Sequence, residues 1–292
     1  SDKNKFAIIQ AEDELAAIGM AIGANWNGAR GFTATSGPGI SLMSEFLGLA
    51  YFAEVPLVVF DIQRGGPSTG MPTRTQQSDV LTCAYASHGD TKHVLLIPST
   101  PKECFDFSIE AFDLADRFQT PVIVLSDLDL GMNDWTTPEF QWDDSKEYDR
   151  GKVLSREDLE NSDTWGRYID VDGDGIPYRT YPGTHPEKGA YFTRGTSHDE
   201  KAKYTEDGKV NAENLSRLLR KYQTASELVP RPEFNQDSNS STIGVIYFGS
   251  TEASMKETLD MLEREGITLD GMRLRAFPFN LEVWEFIEDH DL

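Results

Sequence analysis

The chain has 292 residues, enough for one sizeable domain and part of a second, with ample surface to bury in a hydrophobic core. Its 27 Lys and Arg against 49 Asp and Glu leave a formal charge of −22, which argues strongly against nucleic acid and anionic membrane surfaces and suits solubility or the docking of a basic partner. Only Cys83 and Cys104 are present, without Cys-x-x-Cys spacing, which excludes a disulfide framework or a four-cysteine cluster within this chain and makes the cytoplasm the expected compartment.

No run of about 18 apolar residues exists, and the N-terminus lacks the charged-then-apolar layout of a secretory signal. It opens on Ser1-Asp2-Lys3 rather than Met, so a fragment that begins inside a domain is expected.

The first 130 or so residues alternate strand and helix patterns, which predicts an α/β fold with a parallel sheet flanked by helices. Phe6 to Gln10 reads as a short buried strand and Glu14 to Trp26 as a helix with small apolar residues every three or four positions. Gly31 to Thr35 is the next strand, running into a tight Ser36-Gly37-Pro38-Gly39 turn before helix resumes from Ile40 to Ala53. Pro56 to Ile62 is nearly continuous in β-branched and aromatic residues, as a strand covered on both faces should be. It leads into the Gly- and Pro-rich loop Gln63 to Thr73, and such a loop at the carboxyl end of a parallel strand is where open α/β sheets place ligands.

Val94 to Pro98 and Pro121 to Ser126 are two more strands, with an amphipathic helix from Pro101 to Phe118 between them. Residues 130 to 210 lack helical or strand periodicity over most of their length, and so long an excursion is uncommon unless it covers a partner or a site. Asn211 to Leu228 returns to helix, and Pro230 to Thr242 is a polar linker. Ile243 to Gly249, Thr251 to Glu265 and Met272 to Ala276 then read as strand, helix and strand. The expected division is a first domain over 1–235, with the irregular insertion, and the truncated beginning of a second α/β domain over 242–292.

Glu12 leads the candidate site residues because the Thr35-Ser36-Gly37-Pro38-Gly39 element begins 23 positions after it. A buried carboxylate at the end of a strand, followed by helix, strand and a tight turn, suits holding and protonating an aminopyrimidine, since burial raises a carboxylate's proton affinity. The alternative is that Glu12, Asp13 and Glu14 are an acidic helix start, favoured by the helix dipole.

Arg64 is the second candidate, because a guanidinium offers a carboxylate two parallel donors and a loop of Gly and Pro permits close approach. Its alternative is an ion pair with Asp61 or Asp79. Ser68, Thr69, Thr73 and Thr75 could supply hydroxyl contacts from the same loop.

Asp170-x-Asp172-x-Asp174-Gly175 matches the first half of a calcium loop, but its twelfth position is Tyr181 where an acidic ligand is needed. A structural cation there is a minor reading. Gly173-Asp174-Gly175 superficially matches the thiamine diphosphate–magnesium motif, but no Asn pair follows at the required distance, so it reads as a turn. His88, His93, His185, His198 and His290 show no metal-ligand spacing and default to core or surface roles, with His88 in Ser87-His88-Gly89-Asp90 the one that could line the site.

The Glu12 to Thr35–Gly39 spacing resembles the acetolactate synthase class of thiamine enzymes. A closer resemblance lies in Gln10 to Ala17, Gln63 to Gly70, Asp170 to Thr180, Pro182 to Pro186 and Tyr191 to His198, which together look like the α subunit of 2-oxoacid:ferredoxin oxidoreductases over residues 6 to 292. That resemblance implies a thiamine diphosphate pyrimidine-binding domain, with Glu12, Thr35, Ser36, Gly37 and Pro38 at the cofactor and Arg64, Ser68 and Thr69 at the substrate. The implied reaction is oxidative decarboxylation of 2-oxoglutarate or a related 2-oxoacid to acyl-coenzyme A and CO₂, with electrons passed to ferredoxin.

The resemblance also implies a β subunit that carries the diphosphate and Mg²⁺ half of the site and a [4Fe–4S] cluster. Because ferredoxins are usually acidic, a −22 surface suggests electron exit through that partner. In that family a Tyr-Pro-Ile-Thr-Pro segment lies upstream of the strand leading to Glu12 and is missing here, so this piece, even mixed with its partner, is expected to have little or no activity. The rival readings are a subunit of a non-redox thiamine decarboxylase or synthase and a non-catalytic scaffold subunit.

Overall fold

The computed structural model describes residues 6–162, 165–235 and 241–291. Helix α1 (Glu14–Trp26) starts where the Asp13 carboxylate accepts from the Ala16 N–H at 2.8 Å, satisfying one of the orphan donors of the first turn. Strand β1 (Phe32–Thr35) leads through Ser36 into α2 (Gly37–Ala53), whose first turn tolerates Pro38 because its missing N–H would have no helical partner. The expected Gly-Pro-Gly turn is therefore the opening of a helix. Helix α2 ends at Glu54 in the left-handed conformation, and Pro56 prevents its continuation.

Strand β2 (Leu57–Gln63), helix α3 (Val80–Tyr85), strand β3 (Val94–Leu96), helix α4 (Pro101–Phe118) and strand β4 (Pro121–Asp127) complete the first unit. Helices α5 (Leu128–Met132) and α6 (Arg156–Asn161) interrupt the irregular stretch, and α7 (Gly208–Leu228) closes it. Strands β5 (Glu233–Phe234) and β6 (Gly244–Phe248), helix α8 (Thr251–Arg264), strands β7 (Asp270–Leu274) and β8 (Ala276–Phe277) and helix α9 (Leu281–Glu288) follow.

The main sheet has the order β1-β2-β4-β3-β8, with the first four strands parallel and β8 antiparallel to β3 through Leu95↔Phe277 and Leu96↔Ala276. The fold is thus the expected α/β class. One face is packed by Ile18, Ile40, Met43 and Leu47 against Leu57, Val59 and Ile123. The other is packed by Phe107, Leu114 and Phe118 with Ala225 of α7 against Val58, Val94 and Val122. Each large aliphatic side chain so buried contributes roughly 1.5–3 kcal/mol. Coverage on both faces explains the continuous apolar run of β2.

A second sheet, β5-β7-β6, carries α8 on its β6 side. It is joined to the first by polar contacts. Ser250 Oγ donates to Asp127 Oδ2 at 2.5 Å, Gln77 Nε2 donates to the Phe248 carbonyl at 3.3 Å, and Arg273 donates to Glu103 at 2.8 and 2.9 Å.

One expectation is corrected here. Residues 6–10 form no strand, and Phe6, Ile8 and Ile9 are exposed, because among the described residues no strand lies beside them to supply a hydrogen-bonded ladder. The irregular stretch between 130 and 210 is tied to the first unit by buried polar and charged contacts as well as by Ile176 in its core. Arg179 donates to Asp116 at 2.7 Å with both side chains buried, Arg167 donates to the Glu54 carbonyl at 2.8 Å, and the Tyr168 hydroxyl donates to the Ala53 carbonyl at 3.2 Å. No helix among the described residues is long and apolar enough to cross a membrane.

Candidate active site at the carboxyl ends of the first two strands

Strands β1 and β2 are parallel neighbours with Thr35 opposite Asp61, so the chain segments that leave them emerge side by side. The glycines of the Thr35–Gly39 element let these segments touch. A Cβ on Gly37 would lie 2.5 Å from Asp79 Oδ2 and 2.6 Å from the Arg64 carbonyl oxygen. One on Gly39 would collide with Thr35 Oγ1 and approach Glu14 Cγ to 3.2 Å, and one on Gly66 would stand 3.5 Å from Pro38 Cγ. Contacts of this kind place the start of α1, the start of α2 and the Arg64 loop in one locality.

Glu12 sits one position before the Asp13 cap, outside α1. The helix-start role belongs to Asp13 and Glu14, and Glu12 serves no orphan N–H of that turn. The expected burial of Glu12 is not found: its side chain is exposed, because the segment before it lies on the surface instead of within a sheet. Ser36 is the first residue before α2, and its hydroxyl makes no capping hydrogen bond. Thr35 is half-buried, Pro38 is half-buried and Gly37 is buried.

Arg64 is half-buried, and its backbone N–H donates to Asp79 Oδ2 at 3.1 Å. Its Nε is buried without a hydrogen-bond partner, and among the described residues the guanidinium makes no ion pair with Asp61 or Asp79. A buried guanidinium nitrogen left unpaired is costly, which makes this end of the side chain a ready donor to an incoming anion. Ser68 and Thr69 lie exposed on the loop, with Ser68 at a φ of 56°. Thr73 and Thr75 are exposed beyond them.

Sequence reasoning placed Asp61 and Asp79 only as partners for Arg64 and missed what they do. Asp61 is fully buried on β2, with Cys83 Sγ donating to Oδ2 at 3.4 Å and Oδ1 without a partner. Burial, reinforced by the charge of Asp79, pushes its carboxyl up to about 8. An Asp inside the otherwise apolar Leu57–Gln63 run was the available signal. Asp79 precedes α3 but does not cap it; its carboxylate turns back to accept from the Arg64 N–H and the Ser78 hydroxyl, while its own N–H donates to Gln63 Oε1 at 3.3 Å.

The remaining candidates lie elsewhere. Asp170 accepts from the N–H groups of Gly173 and Gly175, while the Lys152 ammonium contacts Asp172 at 2.6 Å, Asp174 at 2.9 Å and the Ile176 carbonyl at 3.0 Å. A lysine therefore sits where a calcium loop would hold its ion. Among the described residues no group of three or more His, Cys, Asp or Glu side chains is arranged to hold a metal. His88 is exposed beside Glu45, and His93 is buried against the Ala86 carbonyl at 2.9 Å, where burial lowers it to about 4.

Residues 1–223 match the family described as pyruvate flavodoxin/ferredoxin oxidoreductase, thiamine diphosphate-binding, and the chain belongs to that family. Among its relatives, the chain is 38% identical over 283 residues to 2-oxoacid:ferredoxin oxidoreductase 2, subunit alpha, of Aeropyrum pernix, covering 95% of this chain and 42% of that one. It is 53% identical over 123 residues to the 2-oxoglutarate synthase subunit KorA of Methanothermobacter marburgensis, covering 42% of this chain and 33% of that one. Among solved structures it is similar to the 2-oxoglutarate:ferredoxin oxidoreductase from Magnetococcus marinus with 2-oxoglutarate, coenzyme A and succinyl-CoA bound. That likeness has a TM-score of 0.84 at 29% identity, over 98% of this chain and 49% of the other. The chain thus spans less than half the length of these relatives.

Proposed function

We propose that this chain is the pyrimidine-binding part of the α subunit of a 2-oxoacid:ferredoxin oxidoreductase, most consistent with 2-oxoglutarate as substrate. The observation that carries the reading is the buried, unpaired Nε of Arg64 beside the opening of α2, at the carboxyl ends of two parallel strands. The α subunits and 2-oxoglutarate enzymes among its relatives support the substrate class. The division into a first domain over 1–235 and the start of a second over 242–292 is part of this proposal.

The residues present fit the aminopyrimidine half of thiamine diphosphate. Glu12 is a carboxylate that no helix end or described side chain engages, Ser36 has an uncommitted hydroxyl, and exposed Phe6, Ile8 and Ile9 offer apolar surface for a ring. Glu12 would hold a proton against the ring nitrogen, with Thr35, Ser36, Gly37 and Pro38 shaping the space around it. When bound, the cofactor supplies the carbanion that adds to a 2-oxo carbon and makes loss of CO₂ feasible.

Arg64 would bind and orient the substrate carboxylate through its guanidinium, with Ser68 and Thr69 contributing hydroxyls from the same loop. In the balanced reaction, 2-oxoacid and coenzyme A give acyl-coenzyme A and CO₂, and two electrons leave singly to ferredoxin. A β subunit holding the diphosphate, Mg²⁺ and a [4Fe–4S] cluster would complete the site and carry the electrons outward. The assembly is assigned to the cytoplasm.

The test uses the full-length subunit with its partner and follows viologen reduction dependent on 2-oxoacid and coenzyme A. Glu12→Gln is expected to lower turnover by about 10²-fold or more, the scale of a lost general acid–base group. Unchanged turnover would leave the scaffold reading instead. Decarboxylation that needs neither coenzyme A nor an electron acceptor would indicate a non-redox thiamine enzyme.

A further inference from the structure

Asp79 joins the two halves of the candidate site. It is buried, and its Oδ2 accepts from the backbone N–H of Arg64 at 3.1 Å. The same carboxylate lies against Gly37 so closely that a Cβ there would come within 2.5 and 2.6 Å of its two oxygens. Its backbone is fixed separately, since its N–H donates to Gln63 Oε1 and Gln63 Nε2 in turn donates to the Ser126 carbonyl of β4 at 3.3 Å. Asp79 thus reaches from the sheet to the Arg64 loop and to the first residue of α2. A carboxylate at the start of a helix is also favoured by the helix dipole.

Asp61, fully buried on β2, stands near enough for the charge of Asp79 to add to the effect of burial in raising its carboxyl. The Asp79 carboxylate offers the acceptor oxygens that the Arg64 N–H and the Ser78 hydroxyl use.

We propose that Asp79 is a positioning residue for the reaction: wedged between Gly37 and the Arg64 backbone, it fixes the substrate-binding loop in register with the cofactor-binding start of α2. This rests on the functional reading above. It predicts that losing Asp79 loosens the loop without touching the reacting atoms, so substrate binding suffers more than turnover.

The experiment uses the assembled enzyme with Asp79→Ala and Asp79→Asn. Asp79→Ala is expected to raise KM for the 2-oxoacid roughly tenfold, as loss of a charge-assisted hydrogen bond would, with kcat within about threefold and KM for coenzyme A unchanged. Asp79→Asn keeps an acceptor oxygen and is expected to recover most of that loss. Amide hydrogen exchange at Arg64 to Gly66 is expected to speed up in Asp79→Ala and not in Asp79→Asn. Gly37→Ala, whose Cβ would displace the carboxylate, is a second variant expected to raise the same KM should Asp79→Ala fail to fold.

Unchanged exchange at Arg64 in Asp79→Ala would overturn the proposal. So would a loss of thermal stability with KM untouched. If the wild-type assembly turns over no 2-oxoacid, the functional reading fails, while hydrogen exchange still decides whether Asp79 holds the loop.

Discussion

Glu54 and Arg217 form a buried forked ion pair across 163 positions of sequence, with Arg217 Nη1 donating to Glu54 Oε2 at 3.0 Å and Lys221 adding a third contact at 2.7 Å. The pair joins the end of α2 to α7 and so anchors the irregular stretch between them. Burial pushes the Glu54 carboxyl up, but the charges of Arg217 and Lys221 more than reverse this and hold it at about 2.

Removing one partner leaves the other charged and buried. Arg217→Ala is expected to destabilise the chain by about 3–5 kcal/mol, read as a lower urea midpoint. The pair's stability is present above the ordinary carboxylate value of 4.5 and is lost as pH falls through about 2, so the wild-type midpoint should drop across that window. A midpoint within error of wild type at neutral pH would show that the pair is not formed.

Asp61 carries the opposite sign. Its folded carboxyl stands at about 8 against an ordinary 3.8, so the folded state binds the extra proton and this group's contribution falls as pH rises between those values. Asp61→Asn imitates the neutral acid. It should flatten that decline and raise stability above pH 8 relative to wild type, measured by denaturant unfolding at several pH values. An unchanged pH profile would mean that Asp61 is ionised in the fold.

Gly70 has a φ of 58°, and a Cβ there would collide with the Gly65 carbonyl oxygen. Gly70→Ala therefore meets both a left-handed backbone, which costs about 1–2 kcal/mol, and a backbone collision. The loop should open locally, giving faster proteolysis between Gln63 and Thr73 with the core melting transition kept. Wild-type resistance to proteolysis would show that the loop is not closed on itself at Gly65.

Strands β2 and β4 were legible because burial on both faces makes most of Leu57–Gln63 and Pro121–Asp127 apolar. Helices α1, α2 and α4 were legible from apolar spacing, while the first turn of α2 reads in the sequence as a Gly-Pro-Gly turn. Helix α3 was missed because six residues are too few to show a helical period. The strand expected at Phe6–Gln10 had the right residues but no neighbour to pair with, and pairing is not a local property.

The sequence by itself determined the α/β class and the family, because helix and strand periods and the Thr35–Gly39 and Gln63–Gly70 motifs are written in local pattern. Only the tertiary structure decided that Glu12 lies exposed, that Arg64 Nε is buried without a hydrogen-bond partner among the described residues, and that Asp79 turns from its own helix to hold Arg64 and meet Gly37. Those facts depend on which charges meet after the chain has folded. Coulomb and hydrogen-bond partners are chosen in space, and residues as distant as Glu54 and Arg217 carry no mark in sequence that they will meet.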